Sequence, residues 1–412
     1  MSGGLASLQK LFDRQDFPAR VEPVSFLGLA LLSQTGMSFV QQGLVVMGVF
    51  FLAEYHLSLT QLGLITTALS LGVMASMAFV GITVDRVGPR LILFWGALMA
   101  AGLSALLLAV QSYVMLLVVL FFVGVTLAVV PSSGTKAVFT AFVGRPRGLV
   151  MGIRQTGVPI GAALAAWLLP RLVPTWHLDP VYLLFSVELL VTGWTFSLVM
   201  RSQGAKNARS SDRIRLTRSH WRQLLRPMSI GFLMVSGQYI LLTYSIADLS
   251  RVHHVSATLA GAVLALSQVG GGLGRIVLGQ LSDRMGGRRP PALAIAGGMA
   301  TFLAFVIGFL PTFAPVWLLF LVWTLFGFGA VGWNALALTW AGESVPASHS
   351  GFAMSLTGTV VFLGSSVFPP LFGLLVDHTH HFATGWWALS ALLLCATVLT
   401  VGRGHRRLDS MA

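Results

Sequence analysis

Apolar residues occur along this chain in long runs, and short polar segments separate one run from the next. Most runs reach about 20 residues, the length that an α-helix needs to cross a bilayer. The pattern therefore predicts an all-α membrane protein with twelve transmembrane helices. The predicted helices cover residues 24–52, 58–80, 90–111, 114–142, 148–170, 180–201, 227–250, 257–280, 290–311, 314–342, 350–376 and 384–402.

Composition agrees with this prediction, because 55% of the residues are hydrophobic and only 9% are charged. A soluble domain carries about 25% charged residues, so this chain lacks the polar surface of one. The net charge of +13 would suggest nucleic acid in a soluble protein. Most of the 26 Lys and Arg lie instead in the tails and in alternate loops, as in cytosolic segments. We therefore expect no nucleic-acid partner, a plasma (inner) membrane location and cytosolic N- and C-termini.

A ten-residue segment occurs twice, at the same place in each half of the chain. The copies are Gly81-Ile-Thr-Val-Asp85-Arg86-Val-Gly88-Pro89-Arg90 and Gly279-Gln-Leu-Ser-Asp283-Arg284-Met-Gly286-Gly287-Arg288. Duplicated bundles of this kind build many secondary transporters. The sequence thus predicts a six-helix bundle at 1–201, a basic cytosolic linker at 202–226 and a second six-helix bundle at 227–412. The second half of the linker either stays a hinge or forms a basic helix on the membrane surface.

The repeated Gly-x-x-x-Asp-Arg-x-Gly-x-Arg pattern, after helices 2 and 8, resembles the signature loop of the major facilitator superfamily. The resemblance covers essentially the whole chain and implies two pseudo-symmetric bundles that carry a small molecule by alternating access. It also implies that Asp85 and Asp283 meet the N-termini of helices 11 and 5 when the cytosolic side closes, since a helix N-terminus attracts a carboxylate. The residues assigned to this latch are Gly81, Asp85, Arg86, Gly88, Arg90, Gly279, Asp283, Arg284, Gly286 and Arg288. The alternative is that these charges are simply solvated in loops.

Two arginines interrupt the apolar pattern inside predicted helices, Arg154 in helix 5 and Arg275 in helix 8. The matching positions of the other half hold Thr357 and Met77, so both arginines are additions to the shared scaffold. An arginine at the membrane midplane costs about 2.5–3.5 kcal/mol or more and usually faces a cavity. Because a guanidinium can bind a carboxylate through two parallel hydrogen bonds, the pair predicts a site for a small organic anion. The alternative is a structural arginine bonded to backbone carbonyls or paired with an acid of the latch.

The spacing Arg275-x-x-x-Gly279-x-x-x-Asp283 is similar to helix 8 of monocarboxylate transporters, in which the arginine binds the substrate carboxylate. Those transporters usually carry an acidic or amide residue one turn earlier, where this chain has Gly271. The resemblance therefore implies an anion site at Arg275 and does not extend to the proton relay of that family.

Other polar side chains inside predicted helices are candidates to line the cavity, although such groups often bond helices together instead. Helix 1 places Gln34, Ser38 and Gln41 on one face, at a spacing of i, i+4 and i+7. The predicted substrate-binding residues are Arg154, Arg275, Gln34, Gln41, Gln238, Tyr239, Gln268 and Asn334. Asp248 in helix 7 is the candidate for proton coupling, unless it caps the helix or pairs with Arg251.

The competing function is a proton-coupled efflux antiporter for drugs or lipophilic compounds, suggested by Gly157-Val158-Pro159 in helix 5. The signature of those antiporters has Gly directly before Pro, and their embedded acid would have to be Glu188 or Asp248. A receptor or sensor on the same fold is a third alternative. An enzyme is not expected, because no carboxylate pair or nucleophile triad is visible. We expect a monomer, with no cofactor and no metal.

Overall fold

The computed structural model describes residues 21–142, 147–200, 217–346 and 350–401, with the backbone alone for 147–149. Within these ranges, 12 helices are long and apolar enough to cross a membrane, which confirms the all-α architecture. They are α1 (Pro23–Glu54), α2 (Leu59–Val87), α3 (Pro89–Ala109), α4 (Tyr113–Ala141), α5 (Val150–Trp176), α6 (Leu178–Val199), α7 (Arg218–Arg251), α8 (Ala257–Arg284), α9 (Arg289–Ile307), α10 (Val316–Glu343), α11 (Ser350–Thr379) and α12 (Phe382–Val401).

Most of each motif copy is helical, which corrects the expectation that both copies form loops. α2 continues to Val87 and α8 to Arg284, so both motif acids lie in the last turns of helices. The turns begin only at the glycines. Gly88 has a φ of 99° and Gly286 a φ of 72°, backbone conformations that glycine adopts without the strain that a Cβ would cause. α7 likewise begins at Arg218, inside the stretch predicted as a linker. Of the two alternatives for the second half of the linker, a hinge or a basic helix, this part of the chain is helical.

Four of the helices are broken along their length, and the break of α1 lies at Met47. α4 is interrupted at Ala128 and α5 at Thr156, each three residues before a proline, Pro131 or Pro159. A proline lacks the N–H of the helical ladder, and its ring clashes with the carbonyl one turn back. α10 is interrupted at Trp333 after a glycine-rich turn. Each break leaves backbone carbonyls that side chains from neighbouring helices can bond.

The two halves, α1–α6 and α7–α12, meet where α2 begins and α11 ends, which we call the sealed end. The Tyr244 hydroxyl of α7 donates to the carbonyl of Leu59 in α2 at 2.8 Å. The Thr258 hydroxyl of α8 donates to the carbonyl of Pro170 in α5 at 3.2 Å. Within the described ranges, every hydrogen bond between the halves lies at this end or near mid-depth.

The opposite end carries both motif copies, and we call it the motif end. Four glycines at this end of α2, α5, α8 and α11 have open surroundings, since an added Cβ would meet no atom within 4 Å. They are Gly81, Gly152, Gly279 and Gly351. At the sealed end, by contrast, a Cβ on Gly63 would lie 2.5 Å from the backbone of the other half. Among the described residues, the bundle is therefore closed at the sealed end, and no hydrogen bond joins the halves at the motif end.

Candidate functional site

Arg275 lies on α8 toward the motif end and contacts the broken helix α10. Its side chain is half-buried, and its Nε donates to the carbonyl of Val331 at 3.4 Å. Within the described residues this is the single hydrogen bond of the side chain, so neither Nη group bonds to the protein there. A guanidinium held at Nε in this way presents both Nη groups to a carboxylate or another anion.

Arg154 lies on α5 and is only 1% exposed. Its Nη2 donates to the carbonyl of Val130 and its Nη1 to the hydroxyl of Thr135, each at 3.2 Å. Gly134 makes room for the guanidinium, since a Cβ there would lie 2.4 Å from Nη2. In this conformation Arg154 joins α5 to α4 inside the N-terminal half. This arrangement matches the alternative of a structural arginine bonded to a backbone carbonyl. Its role as a substrate ligand stays a prediction.

Both arginines bond the backbone beside a helix break. Val130 lies just after the break of α4 at Ala128, and Val331 lies just before the break of α10 at Trp333. α4 and α10 are the fourth helices of their halves. Each guanidinium thus donates to a backbone carbonyl next to a point where the helical hydrogen-bond ladder is interrupted. The arginines themselves sit on non-equivalent helices, α5 and α8, so comparing the halves in sequence does not show this relationship.

The polar stripe of helix 1 contacts α5 over part of its length. The Ser38 hydroxyl donates to the carbonyl of Val158 at 2.8 Å, and Gln34 packs beside Gly157. Gln41 is also buried, one turn further toward the sealed end. These contacts fit the helix-bonding use of polar groups in membranes better than a single cavity-lining face.

α7 brings Gln238 and Tyr239 to the boundary between the halves, where both are buried. Tyr239 lies beside Gln42 of α1 and Ser365 of α11. Tyr239 thus contacts α1 at Gln42, a residue that was not among the predicted site residues, at mid-depth next to the closed region.

Buried amide groups at mid-depth keep polar atoms without a protein partner in the described parts of the chain. These atoms are Oε1 of Gln34, Gln42 and Gln238, and Nε2 of Gln268. A polar atom buried in this way costs free energy unless it is hydrogen-bonded, so these amides are suited to hydroxyl groups of a ligand. Asn334 is half-buried directly after the break of α10, close in sequence to the Val331 carbonyl that holds Arg275.

Asp248 is 2% exposed on α7 and does not pair with Arg251 among the described contacts. The indole of Trp386 lies beside its carboxyl group, and Oδ2 has no hydrogen-bond partner within the described residues. Pairing with Arg251, one of the alternatives for this residue, is therefore not found in this conformation.

Each motif acid is paired within its own half. Asp85 accepts a hydrogen bond from Lys136 of α4, and Asp283 accepts one from Arg289 of α9 at 2.7 Å. Arg289 also binds both carboxylate oxygens of Glu343 at the end of α10, at 3.2 and 2.9 Å. Exposed pairs of this kind contribute little stability. Of the four motif arginines, Arg86, Arg284 and Arg288 are exposed and Arg90 is half-buried.

The most extensive polar contact between the halves lies at the sealed end and was not predicted. Asp377 of α11 accepts hydrogen bonds from the N–H groups of Leu59 and Thr60 at 3.0 and 2.8 Å, and from the Thr60 hydroxyl at 2.6 Å. These donors form the first turn of α2, where the helix dipole attracts a carboxylate. In sequence, Asp377 looks like an ordinary charge beside a loop, and only the packing of α11 on α2 gives it a partner.

The duplicated halves, the repeated motif and closure at one end can be compared with known proteins. The family model of the Major Facilitator Superfamily matches residues 26–307 and 228–407. This chain belongs to the Major Facilitator Superfamily. The resemblance drawn from the two motif copies is therefore confirmed, and the protein is a multi-pass membrane transporter rather than an enzyme.

Relatives from two bacteria align over most of this transporter. An uncharacterized MFS-type transporter of Mycobacterium tuberculosis is 28% identical over 344 residues, covering 83% of this chain and 76% of that protein. A probable L-galactonate transporter of Escherichia coli is 24% identical over 374 residues, covering 85% of this chain and 81% of that protein.

Solved transporter structures share the fold. A bacterial homolog of the human lysosomal transporter Spinster, inward-facing and unoccupied, has a TM-score of 0.77 at 14% identity, covering 94% of this chain and 97% of that one. The nucleoside transporter NupG has a TM-score of 0.76 at 12% identity, covering 91% and 98%. At these identities the likeness establishes the fold alone.

Proposed function

We propose that this transporter moves a small organic anion, a carboxylate in the simplest case, by alternating access. The observation that carries the proposal is Arg275, a half-buried guanidinium whose only described bond to protein runs from Nε to Val331. A cation that has no acidic partner inside a membrane bundle favours an anionic ligand. The attraction to the ligand then offsets the free-energy cost of removing the cation from water. The Nη groups would bind the carboxylate, and the buried amides of Gln238 and Gln268 would bind polar groups of the same ligand.

The relative named as a probable L-galactonate transporter supports this substrate class. Galactonate is a carboxylate with several hydroxyl groups, which suits one guanidinium and a set of unpartnered amides. The substrate class that we propose is therefore a hydroxylated carboxylate, with L-galactonate as the first compound to test.

The motif end is proposed to face the cytosol, in the plasma (inner) membrane. It carries Arg86, Arg284 and Arg288 together with the basic start of α7, in keeping with the excess of positive charge on cytosolic loops. On this assignment the described conformation is inward-facing, open to the cytosol and closed to the outside.

Closure of the motif end is proposed to exchange the partners of the motif acids. Asp85 would leave Lys136 for the N-terminus of α11, and Asp283 would leave Arg289 for the N-terminus of α5. The attraction between a carboxylate and a helix N-terminus favours this exchange. Asp248, buried and incompletely bonded, is kept as the candidate at which a co-transported proton would bind.

The proposal is tested by thermal unfolding of the purified protein with L-galactonate, its neutral counterpart L-galactose, lactate and the lipophilic cation tetraphenylphosphonium. A ligand that binds only the folded protein raises its melting temperature. We expect a rise with L-galactonate or lactate and none with L-galactose. Stabilisation by the neutral sugar or by the lipophilic cation, without any by a carboxylate, would contradict the proposal.

Arg275→Lys gives the sharper comparison, because lysine keeps the charge and loses the planar fork. Losing one charged hydrogen bond costs about 1.5–3 kcal/mol, so the affinity for the carboxylate should fall roughly 10- to 100-fold. Arg171→Lys, at the sealed end, is the matched control and should bind as the wild type does. A lysine variant at position 275 with unchanged affinity would rule out bidentate recognition there.

A further inference from the structure

Glu188 lies in the middle of α6, and its carboxyl group rests on the bare backbone of α1. A Cβ added to Gly36 would lie 1.7 Å from Oε1 and 2.6 Å from Cδ of Glu188. The same Cβ would lie 2.8 Å from the Thr192 hydroxyl, which itself donates to the backbone carbonyl of Glu188 at 3.0 Å. Gly36 and Thr192 thus form a notch that fits a carboxyl group and excludes any side chain on α1 at that position.

The Thr192 hydroxyl also lies within hydrogen-bonding reach of the carboxyl group, but no charged group in the described ranges neutralises a negative charge at this notch. Oε2 of Glu188 is buried without a hydrogen-bond partner among the described residues, and no described ion pair includes Glu188. α6 packs against α1, α3 and α5, and none of their charged side chains in the described ranges is among the groups that act on Glu188. Those side chains are Glu54 of α1, Arg90 of α3, and Arg154 and Arg171 of α5.

An ionised carboxylate in this setting would be strongly destabilised. A buried charge needs an opposite charge or several hydrogen bonds, and the interior of a membrane bundle supplies no bulk water. The neutral acid avoids most of this cost. The geometry of the notch therefore fits the protonated form of Glu188 in the inward-facing conformation.

α1 also connects the notch to the boundary between the halves. On other faces of α1, Ser38 bonds the Val158 carbonyl of α5, and Gln42 lies beside Tyr239 of α7. A displacement of α1 away from α6 would therefore change its contacts with both halves at once. The same displacement would open the notch and let water reach the carboxyl group.

We infer that Glu188 is a proton-binding site, filled when α1 packs against α6 at Gly36 and emptied when these helices separate. The site is distinct from Asp248, which lies in the other half of the protein. Proton binding at Glu188 stands without any assumption about the substrate, whereas its coupling to transport rests on the proposed function. In the coupled cycle, loss of the proton opposes return to the inward-facing packing of α1 on α6.

Proton binding is tested on the purified full chain with N,N′-dicyclohexylcarbodiimide, an apolar reagent that adds to protonated carboxyl groups in apolar surroundings. Peptide mass spectrometry would follow modification from about pH 5 to about pH 9, the range in which buried carboxyls titrate. We expect Glu188 to be modified at low pH and to lose modification along one titration curve as the pH rises. The exposed carboxyl of Glu54, a matched control, should react only with a water-soluble carbodiimide.

Absence of modification at Glu188, or modification that stays constant over this range, would overturn the inference. Constant modification would mean a permanently neutral structural acid. Neither result would affect the carboxylate screen, so failure of this inference is distinguishable from failure of the proposed function.

Coupling is tested in proteoliposomes with the carboxylate identified by the thermal screen and an imposed pH gradient. Glu188→Gln mimics the protonated form, and we expect it to retain exchange of labelled for unlabelled substrate and to lose accumulation driven by the gradient. Glu188→Asp, which keeps an acid, should recover part of the accumulation. Full accumulation by Glu188→Gln, together with its loss in Asp248→Asn, would assign coupling to Asp248 and overturn a coupling role for Glu188.

Discussion

At the residue scale, four histidines adopt backbone conformations that are usual for glycine. Within the described parts of the chain, these are the non-glycine residues with positive φ: His56, His177, His254 and His380. Each lies in a connection at the sealed end, two in each half. Histidine enters the left-handed region more readily than most residues, but glycine is the usual sequence signal for it. These four turns therefore could not be predicted from the usual glycine signal.

His177→Gly should raise the free energy of unfolding by about 1 kcal/mol. His177 ends α5 with φ 63° and ψ −172°, a region that glycine alone adopts without strain, and its side chain is exposed. His177→Val should lower stability, because β-branched residues are the least tolerant of this conformation.

Reversible unfolding in detergent measures both changes. His378→Gly is the matched control: this exposed histidine is helical, so glycine there should destabilise by about 1 kcal/mol. Equal effects of glycine at positions 177 and 378 would show that backbone strain at His177 is absent.

At the element scale, the apolar runs were sufficient to locate all twelve helices, because membrane helices must satisfy their own backbone hydrogen bonds. Their ends were harder to place. Polar residues such as Asp85 and Arg284 remain helical where the helix emerges from the membrane, so polarity alone does not mark its end. Contacts between helices of different halves, such as Asp377 with α2, depend on the conformational state and leave no periodic signal.

Asp377→Asn should weaken the sealed end. The donors of Leu59 and Thr60 now bond both carboxylate oxygens of Asp377, whereas asparagine has a single side-chain oxygen and no charge. Losing the charge at a helix terminus should cost roughly 0.3–2 kcal/mol of the interaction between the halves. The measurement is the rate at which a membrane-impermeant maleimide labels Thr66→Cys from the sealed end, in a Cys395→Ser background. Labelling should accelerate. Asp179→Asn, at an exposed acid of the same end, should leave it unchanged, and equal rates in both variants would count against the seal.

Gly63→Ala should open the sealed end without unfolding the helices. The new Cβ would lie 2.5 Å from Cα and N of Pro370, backbone atoms that cannot move unless α2 and α11 separate. Alanine also favours helix formation, so the secondary structure should be retained. The same Thr66→Cys labelling should accelerate, while Gly28→Ala, which meets no atom within 4 Å, serves as control. Unchanged labelling would show that the close approach is not needed for closure.

At the scale of the whole molecule, two bundles and a latch at one end were predicted from the sequence. The contacts that were not predicted are those that depend on the conformation of the protein. The duplicated motif identifies the family because it is local and polar. The contact of Gln42 of α1 with Tyr239 of α7 depends instead on how the halves sit against each other, which no single stretch of sequence encodes. Arg154 illustrates the same limit, since its partners lie on α4, some twenty residues away in the chain.

The central claim is that the halves move as two bodies, so that one end closes when the other opens. Spin-label distances test it with one pair at the motif end, Val87→Cys with Met285→Cys, and another at the sealed end, Ala53→Cys with His378→Cys. All four positions are exposed. In a Gly63→Ala, Cys395→Ser background, the account predicts a shorter motif-end distance and a longer sealed-end distance than with Gly63 present. Distances that stay constant at both ends, or that lengthen together, would contradict it.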